Sequence, residues 1–155
     1  MVGLAALGQD NAAAFRRLIV DGFQAGDPGV VDELVSPDLV EHQFGSESSG
    51  PAAVARLRQA IREVHAGMPD VRYSFDAVVA DGDTIWTRMT ARGTDTGGVL
   101  GRRPSGRKIS ITVVDIARFR EGKLVEHWGV PDRFTLLTQA GHLGELLRPR
   151  ATAER

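Results

Sequence analysis

A period-two run near the C-terminal end constrains the fold more than anything else in the chain. Ile109, Ile111, Val113, Asp115, Ala117 and Phe119 recur at every second position, the spacing at which the side chains of a strand share one face. A second strand-like segment, Lys123 to Val130, follows Arg120-Glu121-Gly122. That tripeptide reads as a three-residue hairpin loop with Gly122 in the left-handed conformation. In this register Phe119 pairs with Lys123, and Asp115 falls opposite His127. A carboxylate and an imidazole then project side by side from an otherwise apolar face. Buried ionisable groups are costly unless paired. The two residues therefore form either a structural ion pair or the working part of a pocket.

Helices precede this hairpin. Asp10 or Asn11 can cap a helix that places Phe15, Leu18, Ile19 and Phe23 on one face and ends near Gly26. Asp27-Pro28 opens a short second helix, which Ser36-Pro37-Asp38 breaks. Gly50-Pro51 opens a third, with Val54, Leu57, Ile61 and Val64 as its apolar stripe. Four strands are expected after it: Val71 to Ala80, Thr84 to Arg92, Arg107 to Phe119, and Lys123 to Val130. A short helix, Arg133 to Ala140, closes the chain. Helices segregated ahead of an antiparallel meander indicate an α+β fold. Residues 9–147 read as a single domain, with 1–8 and 148–155 as loose termini.

The 155 residues, 42% of them apolar, suffice for one domain with a real core. A formal charge of -1 argues against nucleic acid or an anionic membrane as partner. The basic cluster Arg102, Arg103, Arg107 and Lys108 is too short to overturn that. Absence of cysteine excludes disulfides, thiol catalysis and cysteine metal sites. No apolar run has membrane-spanning length and no secretion signal is visible, so the expected location is cytoplasmic.

Three stretches together resemble a known family. They are PDLVEH from Pro37, DGDTIWTRMTARGTDTG from Asp81, and GRRPSGRKISITVVDIARFREGKLVEHWGVPD from Gly101. Their order and content are similar to the SnoaL-like polyketide cyclase or ester cyclase family, part of the nuclear transport factor 2-like superfamily. The resemblance runs from about Asn11 to Gly141. It implies a cone-shaped, curved antiparallel sheet packed around the N-terminal helices, a deep apolar pocket between them, and often a homodimer. It also implies ring closure by an intramolecular aldol reaction without metal or cofactor, with a carboxylate as general acid/base. In those cyclases the key aspartate sits two residues after the histidine of the last strand, where this chain has Gly129. The supporting histidine of the preceding strand is matched by Asp115. The aldol assignment therefore does not carry over residue by residue.

The candidate catalytic residues are Asp115 and His127. His42, on a segment joining the helical layer to the sheet, Met89, Val113 and Gly129 are the candidate substrate-binding residues. His42, Asp115 and His127 could in principle ligate iron or zinc, but their spacing is unspecific, and neither metal nor cofactor is expected. Inward-facing Ile85, Thr87, Met89 and Ala91 would leave Trp86 and Arg88 outside. The glycine-rich Gly93 to Gly106 reads as a mobile lip at the pocket mouth. Val114, Ile116, Leu124, Trp128 and Val130 would form an apolar outer patch, the expected surface of a homodimer. The function these residues suggest is that of a cofactor-independent acid/base enzyme of cyclase or isomerase type. Its substrate would be a small hydrophobic carbonyl or polyketide-like compound. The alternative is a non-catalytic module that binds a hydrophobic small molecule or serves as a dimeric accessory.

Overall fold

The alternating run becomes the longest strand of a six-stranded sheet in the computed structural model, which describes residues 4–43 and 47–147. The chain begins with α1 (Leu4–Arg17), whose last turn widens into a π-helical segment, Leu18–Gln24. Then come α2 (Val30–Leu34), β1 (Val35–Glu41), the two-residue β2 (Ser48–Ser49) and α3 (Gly50–Gly67). The meander consists of β3 (Arg72–Asp81), β4 (Thr84–Thr94), β5 (Lys108–Arg120) and β6 (Lys123–Pro131). The helices α4 (Arg133–Ala140) and α5 (Leu143–Leu146) follow. Strand order is β2-β1-β6-β5-β4-β3, antiparallel except where β1 runs parallel to β6. This is the expected α+β architecture, a curved, unclosed sheet packed against the N-terminal helices.

The first helix starts at Leu4, six residues ahead of the Asp10 cap, so residues 4–8 are helical rather than loose. The expected loose tail from Arg148 lies outside the described residues. The segment after α2 is a strand instead of a connector, since Val35 enters extended conformation with φ -120 and ψ 136. Pro37 is tolerated in it because the ladder to β6 is interrupted between Val35 and Val40. The core lies between helices and sheet. Phe15, Leu18, Leu57 and Ile61 from the helices meet Ile85, Met89, Ile109, Ile111 and Leu124 from the strands. Leu124 is fully buried there, so it does not belong to the outer patch.

The hairpin departs twice from the expected register. Its loop holds two residues, Glu121 (φ 51) and Gly122 (φ 74), with Arg120 paired to Lys123. Positive φ at both central positions is the geometry of a type I′ turn, whose twist suits the flanking strands. Then a β-bulge intervenes: Phe119 pairs with Leu124 and Arg118 with Glu126, leaving Val125 without a partner. Each departure shifts the pairing by one position. Together they restore the original faces, so His127 points inward after all, opposite Ala117, while Asp115 pairs with Gly129.

Candidate active site

Helices and sheet border a cavity of about 420 Å³, lined mostly by apolar side chains. Its walls come from Phe15, Leu18, Ile19 and Phe23 on the first helical layer, Leu57, Ala60 and Val64 on α3, and Ala91, Ile111 and Val113 on the sheet. Asp115, His127, Gln43 and Tyr73 form its polar lining at the sheet, and Arg56, Glu63 and Arg133 also border it. Val113 lines its wall, and Asp115 and His127 meet at its surface.

The central group is His127, held between two carboxylates. Its Nδ1 lies 2.9 Å from Glu41 Oε2 and 3.1 Å from Glu41 Oε1, hydrogen-bonding distances. Its Nε2 lies 3.7 Å from Asp115 Oδ1, close enough for charge attraction but too long for a hydrogen bond. Glu41 is entirely buried, and Asp115 and His127 are nearly so. Burial alone would push the imidazolium's pKa down. The carboxylates of Asp115 and Glu41 outweigh that and raise it to about 10. His127 is therefore a cation at neutral pH. Asp115 Oδ1 has no hydrogen-bond partner among the described residues although it is sealed from solvent, an expensive condition for a buried oxygen. Tyr73 stays a neutral phenol, because burial first and then the charge of Asp115 push its pKa up.

Glu41 and Tyr73 were not among the sequence candidates. Glu41 is aimed by β1: Val35, Leu39 and Glu41 share the buried face, and the strand lies parallel to β6 with Glu41 beside His127. The Leu39-Glu41 parity was visible in the sequence, but carried weight only once the segment was known to be a strand. The same parity turns His42 outward, which corrects its expected place in the pocket. Its ring stacks on Trp128 with centroids 4.6 Å apart and planes 5° from parallel. Its Nε2 meets Glu126 Oε1 at 3.1 Å, and Glu126 is in turn held by Arg118 Nε at 2.9 Å. The conceivable metal trio of His42, Asp115 and His127 is accordingly not assembled. Met89 is sealed in the core and is not among the residues lining the cavity. It faces inward, but into the packed core cluster. Gly129 is buried beneath the cavity's polar lining, opposite Asp115.

The glycine-rich connection after β4 is tied down instead of loose. Fully buried Asp95 accepts the Gly98 and Val99 amides on Oδ1, at 3.0 and 2.9 Å, and the Ser105 amide and hydroxyl on Oδ2, at 3.0 and 2.7 Å. A side chain at Gly98 would collide with the Arg102 carbonyl, so glycine permits the tight fold-back. The loop thereby brings Val99, Leu100 and Gly101 to the cavity. No helix among the described residues is long and apolar enough to cross a membrane.

A family model described as SnoaL-like polyketide cyclase matches residues 13–140. Three solved structures show how far the likeness extends. TsrD from Streptomyces laurentii is 28% identical, with a TM-score of 0.73 and coverage of 89% of this chain and 97% of TsrD. AclR from Streptomyces galilaeus, provisionally called a hydroxylase, is 27% identical over 87% of each chain, TM-score 0.73. IdmH from Streptomyces antibioticus, provisionally called a polyketide cyclase, is 29% identical over 86% of this chain and 98% of IdmH, TM-score 0.68. No curated protein sequence matches the chain.

Proposed function

The chain belongs to the SnoaL-like polyketide cyclase family, and on that premise we propose that it is a cofactor-independent acid/base enzyme acting on a hydrophobic, polyketide-like carbonyl compound. The observation that carries the reading is the unpartnered Asp115 Oδ1 beside an apolar cavity, with the His127 cation 3.7 Å away. A purely structural ion pair would close that gap and satisfy the oxygen.

The substrate's apolar body lies against the Phe15, Leu57 and Val113 walls, with its carbonyl towards the polar lining. Asp115 takes a proton from the carbon next to the carbonyl, and the electron pair of that C–H bond forms an enolate. His127 supplies the positive charge that stabilises the enolate oxygen, while Glu41 holds the imidazolium in place. In a cyclisation the enolate carbon attacks a second carbonyl of the same molecule, and the proton on Asp115 ends on the new oxygen. In an isomerisation the proton returns to a different carbon. Either way, moving the proton onto Asp115 as the enolate forms leaves the net charge of the cavity unchanged, so the low dielectric does not penalise the step. A positioned acid/base contributes about 10²- to 10⁴-fold, and holding both reacting ends in one cavity adds to that. Of the cyclase and hydroxylase labels among the relatives, the cyclase label matches what a carboxylate and an imidazolium do. The working form is proposed to be a homodimer.

The test is exchange of the α-protons of 2-tetralone in D2O, followed by proton NMR. Wild type should accelerate exchange about 10²-fold or more over buffer, and Asp115→Asn should fall to the buffer rate while still binding the ketone. Wild type that binds the ketone without speeding exchange would establish the non-catalytic binding module instead.

A further inference from the structure

Gly129 leaves a space that another residue has taken. A Cβ built on it would strike Gln43 Oε1 and would sit 2.6 Å from Gln43 Cδ and 2.9 Å from Asp115 Oδ1. The carboxamide of Gln43 and the unpartnered carboxylate oxygen of Asp115 thus flank one point on the inner face of β6. Any side chain at position 129 would displace one or both.

Gln43 is aimed there by the same carboxylate that holds His127. Its backbone N–H donates to Glu41 Oε1 at 2.9 Å, and the preceding His42 N–H donates to the His127 carbonyl at 3.0 Å. The second bond fastens the end of β1 to β6, and the first turns the chain at Gln43 back onto Glu41. The Gln43 side chain, by contrast, makes no hydrogen bond to any described residue, and it lines the cavity. An amide carries two N–H donors as well as its oxygen. With the oxygen end against Gly129, the donor nitrogen occupies the other end of the group. A half-buried amide whose donors no described residue takes up, on a side chain that lines the same cavity as Asp115 and His127, has the form of a subsite for an oxygen atom.

We propose that the Gln43 carboxamide, seated in the space Gly129 leaves beside Asp115, is a substrate-binding residue that donates to the carbonyl or enol oxygen of the ligand. The cavity then selects flat apolar molecules carrying one such oxygen. Gly129 is the specificity determinant, since it makes the seat for Gln43. The proposal rests on the acid/base reading for its catalytic consequence, but its binding consequence stands independently.

Two probes separate these. Naphthalene and 2-naphthol have the same flat body, and only 2-naphthol presents an enol-like oxygen. Their affinities are measured on wild type, Gln43→Leu and Gly129→Ala by fluorescence titration. Wild type should prefer 2-naphthol. Gln43→Leu should lose about tenfold of that preference, the scale of one net hydrogen bond, with naphthalene affinity little changed. Gly129→Ala, which keeps Gln43 but pushes its carboxamide aside, should lose it as well. An unchanged 2-naphthol to naphthalene ratio in Gln43→Leu overturns the proposal. A lost ratio in a protein that never exchanges 2-tetralone protons would leave the oxygen subsite standing and fail only the acid/base reading.

Discussion

The charge on His127 depends on Glu41, a residue that touches the cavity only through the imidazole. With both carboxylates beside it, the ring keeps its proton up to about pH 10. A group whose pKa is raised from 6.5 on folding contributes stability that is complete below the unfolded value and lost as pH climbs through the folded one. Wild type should therefore lose thermal stability between about pH 7 and 10, and His127→Gln should show a flatter profile over that window. Melting curves at half-unit intervals would decide it, and parallel profiles would count against a charged His127. Glu41→Gln should lower the His127 pKa, so that the alkaline decline of proton exchange sets in below pH 10. Asp115 was legible on the inward face from parity, and His127 shares that face although the two are not cross-strand partners. Glu41 and Gln43 were not legible, because nothing in Pro37 to Gln43 announces a strand that runs parallel to a partner more than eighty residues away.

At the scale of the element, two local irregularities decide what the cavity contains. The two-residue turn at Glu121-Gly122 was hidden because glutamate at positive φ is uncommon. Uncorrected, it would have sent His127 to the outer face. The bulge at Val125 cancels the shift, so Asp115 and His127 share the inner face although the expected pairing of each is off by two positions. The loop from Asp95 to Ser105 is the second case. Its glycines look mobile on paper, yet one buried carboxylate gathers three amides and a hydroxyl from both of its ends. Asp95→Ala strands those donors and should cost on the order of 3 kcal/mol, measured by urea unfolding. A loss below about 0.5 kcal/mol, the scale of an ordinary surface change, would show that the loop holds itself.

Across the whole molecule the sheet has a second apolar face. Val79, Trp86, Ile116 and Trp128 form one cross-strand row, and Val114 pairs with Val130 in the next. Trp86 is 48% exposed, Val79 59% and Val130 67%, and neither α4 nor α5 covers them. Contiguous exposure of this kind is what supports the proposed homodimer. Light scattering should return twice 16.7 kDa for wild type, and Trp86→Arg combined with Val114→Arg should return the single-chain mass with 2-tetralone exchange retained. A wild type that stays monomeric at tens of micromolar would remove the dimer. The patch is smaller than the sequence suggested, because the two-residue turn pairs Leu124 with Phe119 and so puts it in the core.

The α+β class, the helix stripes and the inward face of β5 with Asp115 on it all follow from hydrophobic periodicity, whereas the turn and the bulge together decided that His127 joins it. Periodicity is local: a side chain's face is set by its neighbours two, three or four positions away. Which groups surround that pair is a long-range matter. Glu41, Gln43 and Tyr73 arrive from β1, the chain just beyond it and β3, and Gly129 matters through the carboxamide that fills its place. Those neighbours are set by how the strands stack into one sheet and how the helices pack on it, and only that packing gives His127 its charge and leaves Asp115 Oδ1 without a hydrogen-bond partner.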